Sequence, residues 1–484
     1  MTEPPDSPIA VVVLAAGEGT RMKSSTAKVL HAFAGRSLLG HVLAAAAPLG
    51  AARTIVVVGH QRDEVTAHLA DIAPDARAVV QEQQHGTGHA VRIAMDAVPA
   101  DVPGTVVVVP GDAPLLGAET LAALVSAHRD SGAAATLLTS VVDDPTDYGR
   151  VIRAADGTVA CVVEHKDASP DQLAVAEVSA LVYVFDHAVL RDAVGRLSTD
   201  NAQGEQYLPD AVAILVADGR QVGALAVEQG ETAGVNDRVQ LAAAHRAYNA
   251  RLLDRHMRAG VTVVDPATTW VDATVVLEAD VTLLPSVDLH GATRVAEGAT
   301  VGPQVTLTDT SVGRGARLDR TVASGAVIGA DATIGPFAYL RPGTVLADGV
   351  HIGTYVEVKN SEIGTATKVP HLSYVGDATI GEHANIGAAT VFLNYDGVAK
   401  HRTVIGDHAR IGGDSMLVSP VHVGDGAYTA AGAVITEDVP SGALGRSSAR
   451  QQNVAGWVAR RRPGTAAAHA AEAAESVDSS GDQA

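Results

Sequence analysis

The chain changes its hydrophobic rhythm twice. Through the first 230 or so residues, short β-branched runs alternate with stretches of helical spacing. Ile9-Ala10-Val11-Val12-Val13-Leu14 reads as a buried strand, followed by a glycine-rich turn and a helix over 37–47. Residues 54–58, 79–80 and 105–109 read as further strands with helices between them. That order predicts an α/β domain with a mostly parallel sheet, whose ligands sit at the carboxyl ends of the strands. Over 237–259 the apolar and aromatic positions Leu241, His245, Tyr248, Leu252 and His256 recur at helical spacing, and Gly260 closes the run. This predicts one long connecting helix.

From Val271 the period becomes six. Val271, Leu277, Leu283, Leu289, Val295, Val301 and Leu307 hold it strictly. After a slip, Ile328, Ile334, Leu340, Leu346, Ile352 and Val358 repeat it, often with a small residue following. Ile363, Val369 and Val375 continue after a five-residue step, as do Ile380, Ile386 and Phe392. Residues 393–403 interrupt the ladder, and it resumes at Ile405, Ile411, Leu417, Val423, Thr429 and Ile435. A hexapeptide period predicts a parallel β-helix in which stacked aliphatic knobs form a continuous core. A loop leaving so regular a solenoid marks a place of function. The tail from Pro463 lacks apolar spacing and is expected to be disordered; Arg460-Arg461-Arg462 before it reads as a solvated charge run.

Composition narrows the class. At 484 residues, with 47% hydrophobic and 19% charged, the chain is globular and long enough for two cores. Only 3% is aromatic, which suits thin layers filled by aliphatic side chains. A formal net charge of -20 argues against nucleic acid and anionic membranes as partners. One cysteine, Cys161, excludes an internal disulfide and fits a reducing compartment; inside Val159-Ala160-Cys161-Val162-Val163 it reads as core filler. Residues 1–8 are acidic and proline-rich, unlike a signal peptide, and apolar runs are too short to span a bilayer. A cytoplasmic protein is expected.

The candidate chemistry begins after the first strand, at Leu14-Ala15-Ala16-Gly17-Glu18-Gly19-Thr20-Arg21-Met22 and Lys28-Val29-Leu30. Glycines there let backbone N–H groups approach phosphates, and Arg21 and Lys28 can neutralise a transferred phosphoryl group. The loop is neither a Walker A nor a dinucleotide fingerprint. Taken alone it is equally a tight strand–helix turn, Asp112 a turn-capping carboxylate and Asn236 a helix cap. The full string, with Gln81, Gly86-Thr87-Gly88-His89-Ala90, Gly111-Asp112-Ala113-Pro114-Leu115, Tyr148-Gly149-Arg150, Glu164 and Gly234-Val235-Asn236, resembles the sugar-1-phosphate nucleotidyltransferases.

The likeness runs through the β-helix, from Val11 to Arg462, and is specific to the bacterial bifunctional N-acetylglucosamine-1-phosphate uridylyltransferase and glucosamine-1-phosphate N-acetyltransferase family. The resemblance implies a Rossmann-like nucleotidyltransferase domain (1–235), a linker helix (236–260) and a left-handed β-helix acetyltransferase domain (261–459) before the tail (460–484). It also implies a homotrimer that makes UDP-N-acetylglucosamine for cell-envelope precursors such as peptidoglycan. Its substrates would be glucosamine-1-phosphate, acetyl-CoA, N-acetylglucosamine-1-phosphate and UTP.

By the same resemblance Asp112 and Asn236 hold Mg²⁺, and Arg21 and Lys28 serve uridylyl transfer. Leu14, Ala15, Ala16, Gly17, Lys28, Gln81, Gly86, Thr87, Gly149, Glu164, Ser179 and Asn236 bind UTP or the UDP-sugar. In the solenoid His371 is the general base, a task that suits a residue type titrating near neutrality. Arg341, Lys359, Tyr374 and Asn385 take the sugar phosphate, while Asn394, Tyr395, Lys400, Gly413 and Ala431 take acetyl-CoA. From spacing alone, Arg341 and Lys359 lie one coil apart, stacked on one edge where an anion would relieve their repulsion. Four residues depart from the family pattern: Ala27 for a proline, Ser179 for an asparagine that binds the sugar, Leu181 for a glycine, and Gly413 for a serine. Other readings stay open at this point. The β-helix could serve oligomerisation only, with nucleotidyl transfer as the sole activity. His351, His371, His383, His401, His408 and His422 could build a zinc site of carbonic anhydrase type, or the whole chain could be an inactive scaffold.

Overall fold

The computed structural model describes residues 8–99, 104–447 and 451–481. Most of the stretch read for a leader, residues 1–7, lies outside them, as do the last three residues of the tail. Contact density divides the chain into two compact units, Met1–Gly325 and Ala326–Ala484.

The central sheet of the first unit is built from β1 (Ile9–Ala15), β2 (Arg53–Val58), β3 (Arg77–Val80), β4 (Thr105–Pro110), β5 (Ala135–Val141), β6 (Arg150–Arg153), β7 (Val159–Val163), β8 (Glu177–Asp186) and β9 (Val222–Val227). They form one sheet in the order β9-β5-β8-β4-β1-β2-β3, with the β6–β7 hairpin attached to β8. β1 pairs in parallel with both β2 and β4. The expected mostly parallel sheet is present, with β8 as an antiparallel insertion between β4 and β5. The strands read as nearly unbroken valine because both faces are covered. Val12, Ile55, Val57 and Val108 enter one core layer. Val11, Val13, Val56, Val107 and Val109 enter the other. Cys161 is half-buried in β7, and burial pushes its thiol up, away from reactivity.

The connecting helix, α1 (Arg238–Arg258), starts where the Asp237 carboxylate caps the Gln240 N–H at 2.8 Å. It is packed, not free. Tyr248 and His245 pack at a tilt against Phe33, and His245 meets Trp270 edge-on. Asn249 exchanges hydrogen bonds with Thr269 and Val271, at the start of the solenoid.

The solenoid coils are three short parallel strands each, and every knob named from the hexad pattern is buried. Each hexad points two residues inward, the knob and the small residue two positions before it, such as Val281 with Leu283 or Thr293 with Val295. Inward hydroxyls are satisfied by backbone carbonyls, as in Thr293 to His290 at 2.7 Å. In the first unit the slip resolves into Val312, Leu318 and Ala323, which are buried at steps of five, six and five residues from Leu307. A five-residue step and an alanine knob hid these turns from a six-residue search. Corner glycines are required by stacking: a Cβ on Gly364 would sit 2.6 Å from the Gly381 backbone one coil on. The tail corrects an expectation. It is helical over Ala466–Gly481, since an alanine-rich stretch without proline favours helix even with no apolar face.

Candidate active sites

Leu14 of β1 lies opposite Pro110 of β4, so the loops leaving both strands emerge side by side at one sheet edge. The Gly111 N–H donates to the Leu14 carbonyl at 2.8 Å, closing the turn that presents Asp112. The Val235 N–H donates to the Asp112 carbonyl at 2.9 Å, which brings Asn236 to the same place. Lys28 Nζ donates to Asp112 Oδ2 and, at 3.2 Å, to Asn236 Oδ1. Gly19 has φ +65, and a Cβ there would sit 2.6 Å from Lys28 Cβ; the loop closes over the lysine only with glycine. Ala27 keeps φ -54, the value a proline would impose, and burial holds it there. Arg21 stays apart, exposed, 3.7 Å from Asp147.

Gln81 follows β3 and is buried, its amide donating to the Gly86 carbonyl at 3.1 Å. Gly86 has φ +98, and a Cβ would collide with the Gln206 carbonyl. The Thr87 hydroxyl accepts from the Leu208 N–H at 3.0 Å. Gln84, which sequence reasoning passed over, donates to the Ala16 carbonyl at 2.8 Å and fastens this segment to the 14–17 loop.

Gly149, Glu164 and Ser179 come together beside the β6–β7 hairpin. The Ser179 N–H donates to the Gly149 carbonyl at 2.9 Å, and a Cβ on Gly149 would lie 3.6 Å from Glu164 Oε1. Burial, then the charges of Asp210, Asp167 and Glu205, push the Glu164 carboxyl up. The Ser179 hydroxyl lies 2.9 Å from the Tyr183 hydroxyl, so it is engaged inside the sheet. Between them β8 bulges, and Leu181 adopts φ +57, a left-handed conformation that leucine rarely takes. Elsewhere alanine is more stable than glycine by about 0.5–1 kcal/mol. Here the order should reverse: Leu181→Gly should unfold at higher urea than Leu181→Ala, by about 1 kcal/mol. Equal midpoints for the two variants would show that the site carries no backbone strain.

In the second unit one face of the solenoid collects much of the predicted chemistry. Tyr339, Glu357 and Tyr374 stack in register along its centre. His371 and the exposed Leu372 stand at one edge, Arg341 and Lys359 at the other. The two cations sit one coil apart, and each already has a carboxylate partner: Arg341 Nη1 meets Glu357 Oε1 at 2.8 Å, and Lys359 Nζ meets Asp377 Oδ2 at 3.4 Å. Hydrogen bonding to the Lys400 amine, first, and the Asp377 carboxylate raise the Lys359 pKa, while that hydrogen bond and then the charge of Lys359 lower that of Lys400. Asn394 opens the excursion and donates to Asp377 and, at 3.4 Å, to the Tyr374 hydroxyl. The excursion is a tight turn. Asp396 accepts the Val398 and Ala399 N–H groups, each at 2.7 Å, and pairs with His401. Those bonds, led by the Ala399 N–H, hold its carboxyl well below the usual range.

Asn385 is not on this face. It pairs with Lys368 and Arg410 on the neighbouring sheet. Gly413 stacks on Ala388, at the corner between those two sheets, where an added Cβ would touch the Ala388 carbonyl at an ordinary 3.4 Å; a serine would fit. The Gly432 N–H donates to the Gly413 carbonyl at 2.8 Å, so Ala431 lies at that corner too. Within one chain the histidines build no metal site: His383 and His408 stack on each other, His401 is taken by Asp396, and no cluster of metal-ligating side chains forms among the described residues. Glu357 and Asp377 were missed from sequence. Their signal was spacing, since Glu357 lies 16 residues after Arg341 and Asp377 lies 18 after Lys359, about one coil.

Comparison with known proteins agrees with this layout. Residues 11–155 match the family described as MobA-like NTP transferase domain, and residues 325–360 and 402–437 match bacterial transferase hexapeptide (six repeats). The bifunctional protein GlmU of Streptomyces coelicolor is 60% identical over 468 residues, 96% of this chain and 97% of its own. That of Thermobifida fusca is 59% identical over 471 residues, with the same coverage. That of Nocardia farcinica is 54% identical over 482 residues, 98% of this chain and 97% of its own. With a nucleotidyltransferase sheet and a hexapeptide solenoid on one polypeptide, and relatives this similar over nearly its whole length, the chain belongs to the family of bifunctional uridylyltransferase–acetyltransferases that synthesise UDP-N-acetylglucosamine.

Proposed function

We propose that the two reactions run on the residues gathered above, with 1–235 serving uridylyl transfer, 236–260 connecting, and 261–459 serving acetyl transfer. The observation that supports this most is that each half holds one of its family-matched lysines against a carboxylate, Lys28 at Asp112 and Lys359 at Asp377. In the solenoid, Arg341, Lys359 and Tyr374 hold glucosamine-1-phosphate along the face, and His371 takes a proton from its amine as that amine attacks the thioester carbon of acetyl-CoA. The thiol of CoA leaves. Asn394, Tyr395, Lys400, Gly413 and Ala431 receive the coenzyme.

In the first domain Gln81, Gly86 and Thr87 read the uracil, while Gly149, Glu164 and Ser179 face the sugar. The loop 14–17, Arg21 and Lys28 steady the phosphates as the sugar phosphate oxygen attacks the α-phosphorus of UTP and pyrophosphate departs. Asp112 and Asn236 turn their oxygens to one point, now taken by the Lys28 ammonium, and that hard-oxygen donor pair fits Mg²⁺. When bound, Mg²⁺ supplies charge neutralisation to the phosphate oxygens.

Asn385 lies on a different face from Lys359 and Tyr374, so a neighbouring solenoid would complete each site. Phe337 and Tyr355 stack at 5.3 Å along an exposed corner that continues to Leu372, an apolar edge suited to that contact. A cytoplasmic homotrimer follows from this reading; no described helix is long and apolar enough to cross a membrane. The test is a split assay on the full chain. Acetyl-CoA with glucosamine-1-phosphate should release thiol, and UTP with N-acetylglucosamine-1-phosphate should release pyrophosphate. EDTA should abolish the second signal and spare the first. Pyrophosphate release that persists in EDTA would remove the metal role of Asp112 and Asn236, and a monomeric mass by light scattering would remove the shared site.

A further inference from the structure

One carboxylate joins residues that the acetyl-transfer reading divides between two substrates. Asp377 is 7% exposed. Its Oδ1 accepts from Asn360 Nδ2, while its Oδ2 accepts from Asn394 Nδ2 and faces Lys359 Nζ at 3.4 Å. Its main chain joins the same parts. The N–H donates to the Lys359 carbonyl at 3.0 Å, and the carbonyl accepts from the Thr403 N–H at 3.2 Å, where the strand resumes after the excursion. The residue sits at φ +49, a conformation that aspartate and asparagine tolerate better than most residues. A carboxylate this shielded is costly unless its donors are in place, and an uncharged residue could fill the same corner. Burial works against the charge, but Asn360 and Asn394, with Lys359 adding to them, hold the carboxylate below its ordinary pKa.

We propose that Asp377 is a positioning residue that aligns both half-sites at once: Lys359 on the sugar-phosphate side, and Asn394 with the excursion it opens on the acetyl-CoA side. This rests on the assignment of those two residues given above. Asp377→Asn keeps shape and backbone preference but turns one acceptor into a donor that faces other donors. KM should therefore rise about tenfold for glucosamine-1-phosphate and also for acetyl-CoA, the size of one charged hydrogen bond lost. Pyrophosphate release from the same molecule should stay unchanged and reports that the chain is folded.

Lys359→Ala should raise chiefly the sugar-phosphate KM, and Asn394→Ala chiefly the acetyl-CoA KM. If neither single variant moves its constant, the site assignment itself fails. If both do and Asp377→Asn leaves the two KM values within twofold of wild type, or lowers kcat only, the alignment role is overturned. Asn360→Gly covers the case in which Asp377→Asn does not fold. Its φ of +46 accepts glycine, it removes one of the donors, and it should raise both KM values about threefold; unchanged values would overturn the proposal.

Discussion

Replacing His371 with alanine should lower kcat for acetyl transfer by about 10²- to 10⁴-fold, the usual contribution of a positioned general base. Its surroundings supply no substitute at that edge. The side chain is exposed at the end of its strand, and its backbone is fixed by the coils on either side, paired with Thr354 below and accepting the Ala389 N–H above. The strand thus sets the position of the ring while its nitrogens stay available to a substrate. His351, one coil away on the same sheet, pairs with Lys368 in the ladder; burial and that ammonium lower its pKa, which makes it a weaker base. Michaelis constants should change little if, as proposed, the phosphate binds at the opposite edge, at Arg341 and Lys359. Pyrophosphate release should be untouched. His371→Asn keeps a polar side chain without the basic nitrogen and should be as slow as the alanine variant. A loss confined to KM would place His371 in binding and not in proton transfer.

Asp112→Asn should cut uridylyl transfer by at least about 10²-fold, on the scale seen when charge stabilisation of a phosphoryl transition state is removed. Acetyl transfer should continue. The carboxylate and the Lys28 ammonium are both well shielded, at 19% and 13% side-chain exposure, so the pair is weakly screened. Loss of the charge acts on the proposed metal and on Lys28 together. The metal role is separable: if Asp112 holds Mg²⁺, raising its concentration should restore part of the variant's rate. A rate that stays low and flat across a Mg²⁺ titration would assign Asp112 to holding Lys28 instead.

Sequence periodicity by itself determined most of the architecture. Valine runs covered on both faces specify a central sheet, and the hexad knobs from Val271 to Ile435 specify the stacked coils, because inward and outward positions are a local property of a short strand. Motif order placed Lys28, Asp112 and Asn236 in one functional unit, and the structure brings their polar atoms together. What sequence could not decide was set by contacts between segments. The lattice of carboxylates beneath the solenoid cations, Glu357 under Arg341 and Asp377 under Lys359, depends on which outward residues face each other after stacking, and five-residue steps shift that register. The left-handed backbone of Leu181 arises where β8 bulges between two partners, which no property of leucine foretells. The split of Asn385 from Lys359 and Tyr374 likewise follows from three flat faces closing a coil: residues adjacent in a six-residue count point in different directions once the chain turns a corner.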